Sequence, residues 1–222
     1  MAKRNSKQFA VIGLGRFGGS VCKELYRLGH EVLALDIDNE KVSEYVPFST
    51  HAVQADSIDE RALKSLGIGN FEHVVVAIGD NIQASILTTL VLKDMDIQNV
   101  CVKAQNLYHQ KVLEKIGADQ IVHPEYDMGI RIAQNMASEK IIDHIDLSDE
   151  YSIVELLATS KVHNKTLIEL DVRATFGVTI LAIKPDGNIN VSPMPDDVVK
   201  KGDIIIVIGH KNDVKRFEDE GL

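Results

Sequence analysis

The chain has 222 residues, 45% of them hydrophobic, and a formal net charge of −9. That length suits one large domain or two small ones, and the acidic balance argues against a nucleic-acid partner, which needs a basic face. No apolar run is long enough to cross a bilayer, and the polar start from Met1 to Lys7 has no apolar stretch behind it, so neither a membrane span nor a signal peptide is expected.

The first predicted strand, Gln8–Ile12, runs into Gly13-Leu14-Gly15-Arg16-Phe17-Gly18, a G-x-G-x-x-G loop. A helix over Arg16–Leu28 and a strand over Glu31–Leu35 follow, and that strand ends in Asp36. This is nearly the whole dinucleotide-binding fingerprint. Gly13 allows the tight turn, Gly15 the close approach of backbone to a phosphate, and Gly18 the packing of helix on strand. The helix N-terminus offers free N–H groups and a partial positive charge to an anion. Asp36 is placed to hold ribose hydroxyls. An acid there, not an arginine, argues for an NAD- or adenosine-type ribose over NADP. Arg16 is either a cation aimed at phosphates, including those of a neighbouring subunit, or a solvated surface residue.

Strand and helix then keep alternating. Further strands are expected at Ala52–Gln54, His73–Ile78, Val100–Lys103 and Gln120–Val122. The helices fall at Glu40–Val46, Glu60–Leu66, Ile82–Met95, Tyr108–Ile116 and Tyr126–Ile142. Six strands in this pattern predict an α/β fold with a doubly wound parallel sheet in the order 3-2-1-4-5-6, its ligand crevice above strands 1 and 4. The boundaries expected are a nucleotide-binding domain over 7–126, a crossover helix and linker over 127–145, and a small α+β domain over 146–222. Asp146-Leu147-Ser148-Asp149-Glu150 reads as an acidic linker. Strands at Ser152–Ala158, Val178–Lys184, Asn188–Val191 and Ile204–Ile208, with helices at Leu167–Arg173 and Asp213–Asp219, build the second domain. Pro185-Asp186-Gly187-Asn188 is a hairpin signal within it. So small a domain is expected to dimerise. Cys22 and Cys101 read as core residues of a reduced, cytoplasmic protein.

Four further places can line the crevice. Asp56-Ser57 follows strand three; its carboxylate can accept an adenine amine, or Ser57 or Asp59 can cap the next helix. Ala77-Ile78-Gly79 ends strand four, and Asn81 can cap the helix from Ile82. Lys103 ends strand five and reaches ribose or phosphate, or snorkels. Glu125 follows strand six and suits a cation beside phosphates, or the first turn of a helix. For hydride-transfer chemistry only His109 and His123 lie near the crevice ends, and His109 reads as a helix-surface residue. No metal-protease motif or nucleophile elbow appears. Nucleotide binding without catalysis is therefore favoured over an NAD-dependent oxidoreductase or an NAD(H) redox sensor.

With these motifs, and with Asp36-Ile37-Asp38, Val102-Lys103-Ala104-Gln105, Gly117-Ala118-Asp119 and His123-Pro124-Glu125, the chain resembles the RCK (regulator of potassium conductance) family, the regulatory subunits of Ktr/Trk-type bacterial potassium uptake systems. The resemblance runs from Gln8 to Phe217. It implies a Rossmann lobe that binds ATP or ADP, and also NAD(H). Activation by ATP and inhibition by ADP are implied as well. Dimers would assemble into an octameric ring on the cytoplasmic face of a membrane potassium-translocating subunit. The implied nucleotide site comprises Gly13, Leu14, Gly15, Arg16, Phe17, Gly18, Asp36, Ile37, Asp38, Asp56, Ser57, Ala77, Ile78, Gly79, Lys103 and Glu125. Glu125 is also implied as a ligand of a cation (Mg, Ca or Na) at the ATP phosphates. The second domain resembles a lobe that in this family can bind cyclic di-AMP, with Arg173, Ala174, Phe176, Gly177, Thr179, Ile180 and Pro193 on the matching stretch. There a buried Arg173 can clamp a phosphate, or can instead sit beside helix carbonyls.

Overall fold

A computed structural model describes residues 6–138, 140–185 and 188–222. The chain divides into two compact units, one ending at Tyr126 and one running from Asp127 to Leu222.

The first unit is a parallel sheet of six strands: β1 (Gln8–Ile12), β2 (Glu31–Asp36), β3 (His51–Gln54), β4 (His73–Val76), β5 (Asn99–Lys103) and β6 (Gln120–Val122). They lie in the order β3-β2-β1-β4-β5-β6, the doubly wound order expected. Side chains alternate across a strand, and this splits the core in two. Ala10, Ile12, Leu33, Leu35, Val74, Val76, Val100 and Val102 face one side and pack with Leu63, Leu92 and Leu113. Val11, Val32 and Ala34 face the other and pack with Cys22, Val42 and Tyr45. Strands buried on both faces account for the unbroken apolar runs in the sequence.

The connecting helices are α1 (Arg16–Arg27), α2 (Asn39–Tyr45), α3 (Glu60–Ser65), α4 (Ile82–Asp94) and α5 (Leu107–Lys115). Side chains start four of them: Asp38 caps α2, Asp59 caps α3, Asn81 caps α4 and Asn106 caps α5. Only α1 begins without a side-chain cap, at Gly15. Its first N–H groups are left for another acceptor. Strand β4 stops at Val76, earlier than the expected Ile78, and frees Ala77, Ile78 and Gly79 as a loop.

Helix α6 (Pro124–Ala137) is shorter than the expected Tyr126–Ile142. Ile141 and Ile142 instead begin β7 (Ile141–Asp146). This strand pairs antiparallel with β8 (Tyr151–Leu157), so Asp146–Glu150 is the end and turn of a hairpin, not a linker. A β-bulge between Ile141 and Asp143 breaks the alternation in β7 and hides it from a periodicity reading.

The second unit holds β9 (Lys165–Thr166), α7 (Leu167–Leu170), α8 (Val172–Phe176), β10 (Thr179–Lys184), β11 (Asn190–Val191), β12 (Val198–Val199), β13 (Ile204–His210) and α9 (Lys211–Arg216). Its main sheet is ordered β11-β10-β13-β8-β7, and β9 and β12 form a separate pair. The helix expected over Leu167–Arg173 is two helices, broken where Asp171 takes a left-handed backbone (φ 38°). Of the expected hairpin signal, Asp186 and Gly187 lie outside the described residues, while β10 and β11 on either side pair antiparallel. Val154, Leu156, Ile205, Val207 and Phe217 form this unit's core.

Candidate functional site: a crevice at the strand ends of the parallel sheet

Where the strand order reverses, beyond the carboxyl ends of β1 and β4, the loops leave a crevice of about 630 Å³. This is the usual ligand position in a doubly wound sheet, and the volume is in the range of small-molecule sites.

The glycine loop forms one wall. Gly13 has a left-handed backbone (φ 93°), and a Cβ on it would lie 2.9 Å from the carbonyl carbon of Ala77. The two loops cross here. The Ala77 N–H donates to the Ile12 carbonyl at 2.7 Å, and the Gly13 N–H donates to the Leu35 carbonyl at 2.8 Å. A Cβ on Gly18 would collide with the Gly13 carbonyl oxygen and the Ala77 side chain, so α1 can seat here only with glycine. A Cβ on Gly15 would meet nothing within 4 Å. That open space beside the uncapped end of α1 is where an anion can approach the backbone. Gly19 has a role the motif does not announce: the Tyr45 ring lies where its side chain would be.

Asp36 is 6% exposed. One carboxylate oxygen accepts the Leu14 N–H at 2.7 Å and the other accepts the Asp38 N–H at 2.9 Å. The carboxylate thereby ties the glycine loop to the end of β2 and still lines the crevice. Ile37 beside it is 66% exposed and also lines the crevice. Asp38 is not among the lining residues; it caps α2 through the Glu40 N–H. Leu14 and Gly18 likewise stand behind the wall.

The loop after β3 sorts the two roles weighed for it. Asp59 caps α3, Ser57 is buried with its hydroxyl 2.7 Å from that of Thr88, and Asp56 bonds the Ile58 N–H and faces the crevice.

Charge gathers at the other end. Arg16 is exposed and lines the crevice. Lys103, at the end of β5, forms an ion pair with Glu125 in the first turn of α6. The Lys103 hydrogen bond chiefly holds the Glu125 carboxyl below the usual carboxylate range, and the Arg16 charge adds to it. Among the described residues no three or more His, Cys, Asp or Glu side chains gather to hold a metal. Glu125 supplies a single carboxylate, which fits a divalent cation only if phosphate oxygens and water complete its shell, as is usual for magnesium.

Gln105, which carries no motif, donates from its side-chain amide to the Gly79 carbonyl and straps the loop after β5 to that after β4. Its own N–H is held by His109 Nδ1 at 3.3 Å. His109 is 2% exposed, which corrects the helix-surface reading. Burial, with the charge of His123, pushes its pKa down. The imidazole is thus a neutral buried support, and among the described residues no histidine lines the crevice. Cys22 is buried as expected, with burial raising its thiol to about 11, whereas Cys101 is half-buried.

In the second unit Arg173, Ala174 and Thr179 are exposed, which corrects the buried Arg173. Phe176 turns inward and packs against Phe217, with ring centroids 5.3 Å apart. Ile180 also packs on the core, Pro193 is half-buried, and Gly177 ends α8 with φ 77°.

A glycine loop, an acidic strand end and a switch-point crevice define a Rossmann-type nucleotide-binding protein, here followed by a small antiparallel domain. A TrkA-N domain model matches residues 9–124, and a TrkA-C domain model matches residues 151–220. The chain is 62% identical over 222 residues to the Ktr system potassium uptake protein A of Bacillus subtilis, covering all of both chains. It is 40% identical to the protein of that name from Vibrio alginolyticus, over 93% of this chain and 94% of the other. The GsuK channel shares the fold, with a TM-score of 0.70 at 16% identity over 98% of this chain and 40% of that one. The chain therefore belongs to the TrkA-N/TrkA-C (RCK) family. No helix among the described residues is long and apolar enough to cross a membrane.

Proposed function

We propose that this chain is the nucleotide-sensing regulatory subunit of a Ktr-type potassium uptake system and catalyses no reaction. The observation that carries the reading is the crevice: an open glycine loop, an acid at the ribose end (Asp36) and three charged groups (Arg16, Lys103, Glu125) at the phosphate end. Full-length similarity to Ktr system potassium uptake protein A supports the potassium setting. In this reading Asp36 takes ribose hydroxyls, Asp56 the adenine amine, and the N–H groups after Gly15 the phosphates. Glu125 joins the phosphates in holding a divalent cation. The chain works as a homo-oligomer, dimers forming an octameric ring on the cytoplasmic face of a membrane potassium-translocating subunit. A second copy completes the surface around Arg173, where cyclic di-AMP binds.

ATP activates and ADP inhibits because they differ by one phosphate, and a ligand shifts a conformational equilibrium only through unequal affinity for its states. Arg16 and the Lys103–Glu125 pair are the groups placed to sense that phosphate. NAD(H) fits the same ribose end, which makes redox sensing the second reading. Potassium flux in vesicles holding the membrane subunit and this chain tests the proposal. Flux higher with ATP than with ADP supports it, and flux that answers only to the NAD/NADH ratio supports the second reading.

A further inference from the structure

The Lys103–Glu125 pair is unequal. The Lys103 side chain is 13% exposed, and that of Glu125 is 66% exposed. A nearly buried ammonium is tolerated where a counter-charge faces it, and Glu125 is the one carboxylate paired with Lys103 among the described residues. An ammonium and a hard divalent cation seek the same carboxylate oxygens. A cation arriving alone therefore meets an acid already taken. An arriving phosphate chain meets Lys103, which has a long flexible stem and can turn to it.

We propose that Lys103 is a built-in competitor for Glu125, holding the carboxylate until a nucleotide phosphate draws the ammonium away and opens Glu125 to a divalent cation. The inference rests on the nucleotide reading above. It makes phosphate and cation binding cooperative through one side chain, and such coupling is reciprocal.

The test is calorimetric titration of the full-length protein with ATP, in EDTA and in magnesium chloride, comparing the gain in affinity that magnesium confers. In Lys103→Met that gain falls about fivefold, because the cation then meets Glu125 unheld even before the phosphate arrives and the coupling through Lys103 is gone. In Glu125→Gln, ATP binds about threefold more tightly in EDTA, since Lys103 is free and a repelling charge is gone. The double variant shows no magnesium gain. An equal loss in both buffers for Lys103→Met makes Lys103 a plain phosphate contact and overturns the proposal. Weaker ATP binding by Glu125→Gln in EDTA overturns it too. No ATP binding by the wild-type chain in either buffer would overturn the nucleotide reading itself.

Discussion

The two units place their candidate residues in opposite ways. In the first, Gly13, Asp36, Asp56, Lys103 and Glu125 come from the ends of five different strands and meet at one crevice. In the second, Arg173, Ala174 and Thr179 lie within one short stretch and stay exposed. A parallel sheet aims all its carboxyl ends at one edge, so a single chain encloses a site there. An antiparallel sheet turns its strand ends alternately to opposite edges and gathers no such set of ends.

Substitutions can separate the two units. Leu156 is fully buried at the centre of the second core. Leu156→Ala is expected to cost that unit about 2–5 kcal/mol and to leave ATP affinity within about twofold. Thermal unfolding followed with and without ATP checks this; joint loss of ATP binding would show that the crevice depends on the second unit. Gly18→Ala forces a methyl group against Gly13 and Ala77. It is expected to cost about 1–3 kcal/mol and to abolish ATP binding, with the second unit's unfolding unmoved. Arg16→Ala is expected to weaken ATP about tenfold, near 1.4 kcal/mol, and ADP by less. Unchanged ATP/ADP discrimination in this variant would remove Arg16 from the sensing role.

The smallest effect concerns pH. Burial lowers the His109 pKa below its ordinary 6.5. The stability contributed by the neutral ring is therefore fully present above pH 6.5 and is lost as pH falls through the lower folded value. His109→Gln should flatten the melting temperature of the first unit against pH over that window. An unaltered profile would assign the dependence to other groups.

The parallel half was legible because its central strands are apolar runs buried on both faces, and because Asp59 and Asn81 cap α3 and α4 as their residue types suggest. The glycine loop was legible because steric demands at Gly13 and Gly18 leave no other residue. What escaped lacks a local signature. Strand β7 carries a bulge that breaks its alternation, and β9 and β12 have two residues each, too few for a period. Nothing local distinguishes a buried His109 from a solvated one. The Gln105 strap and the Tyr45–Gly19 contact each join segments that only the folded chain brings together. Arg173 follows a buried valine, yet as the second residue of a five-residue helix it stays exposed.

The most direct test is calorimetric titration of the full-length protein with ATP, ADP, NAD and NADH, each with and without a divalent cation. ATP is expected to bind more tightly than ADP, and more tightly still with the cation. Binding of NAD(H) alone, indifferent to the cation, would contradict it.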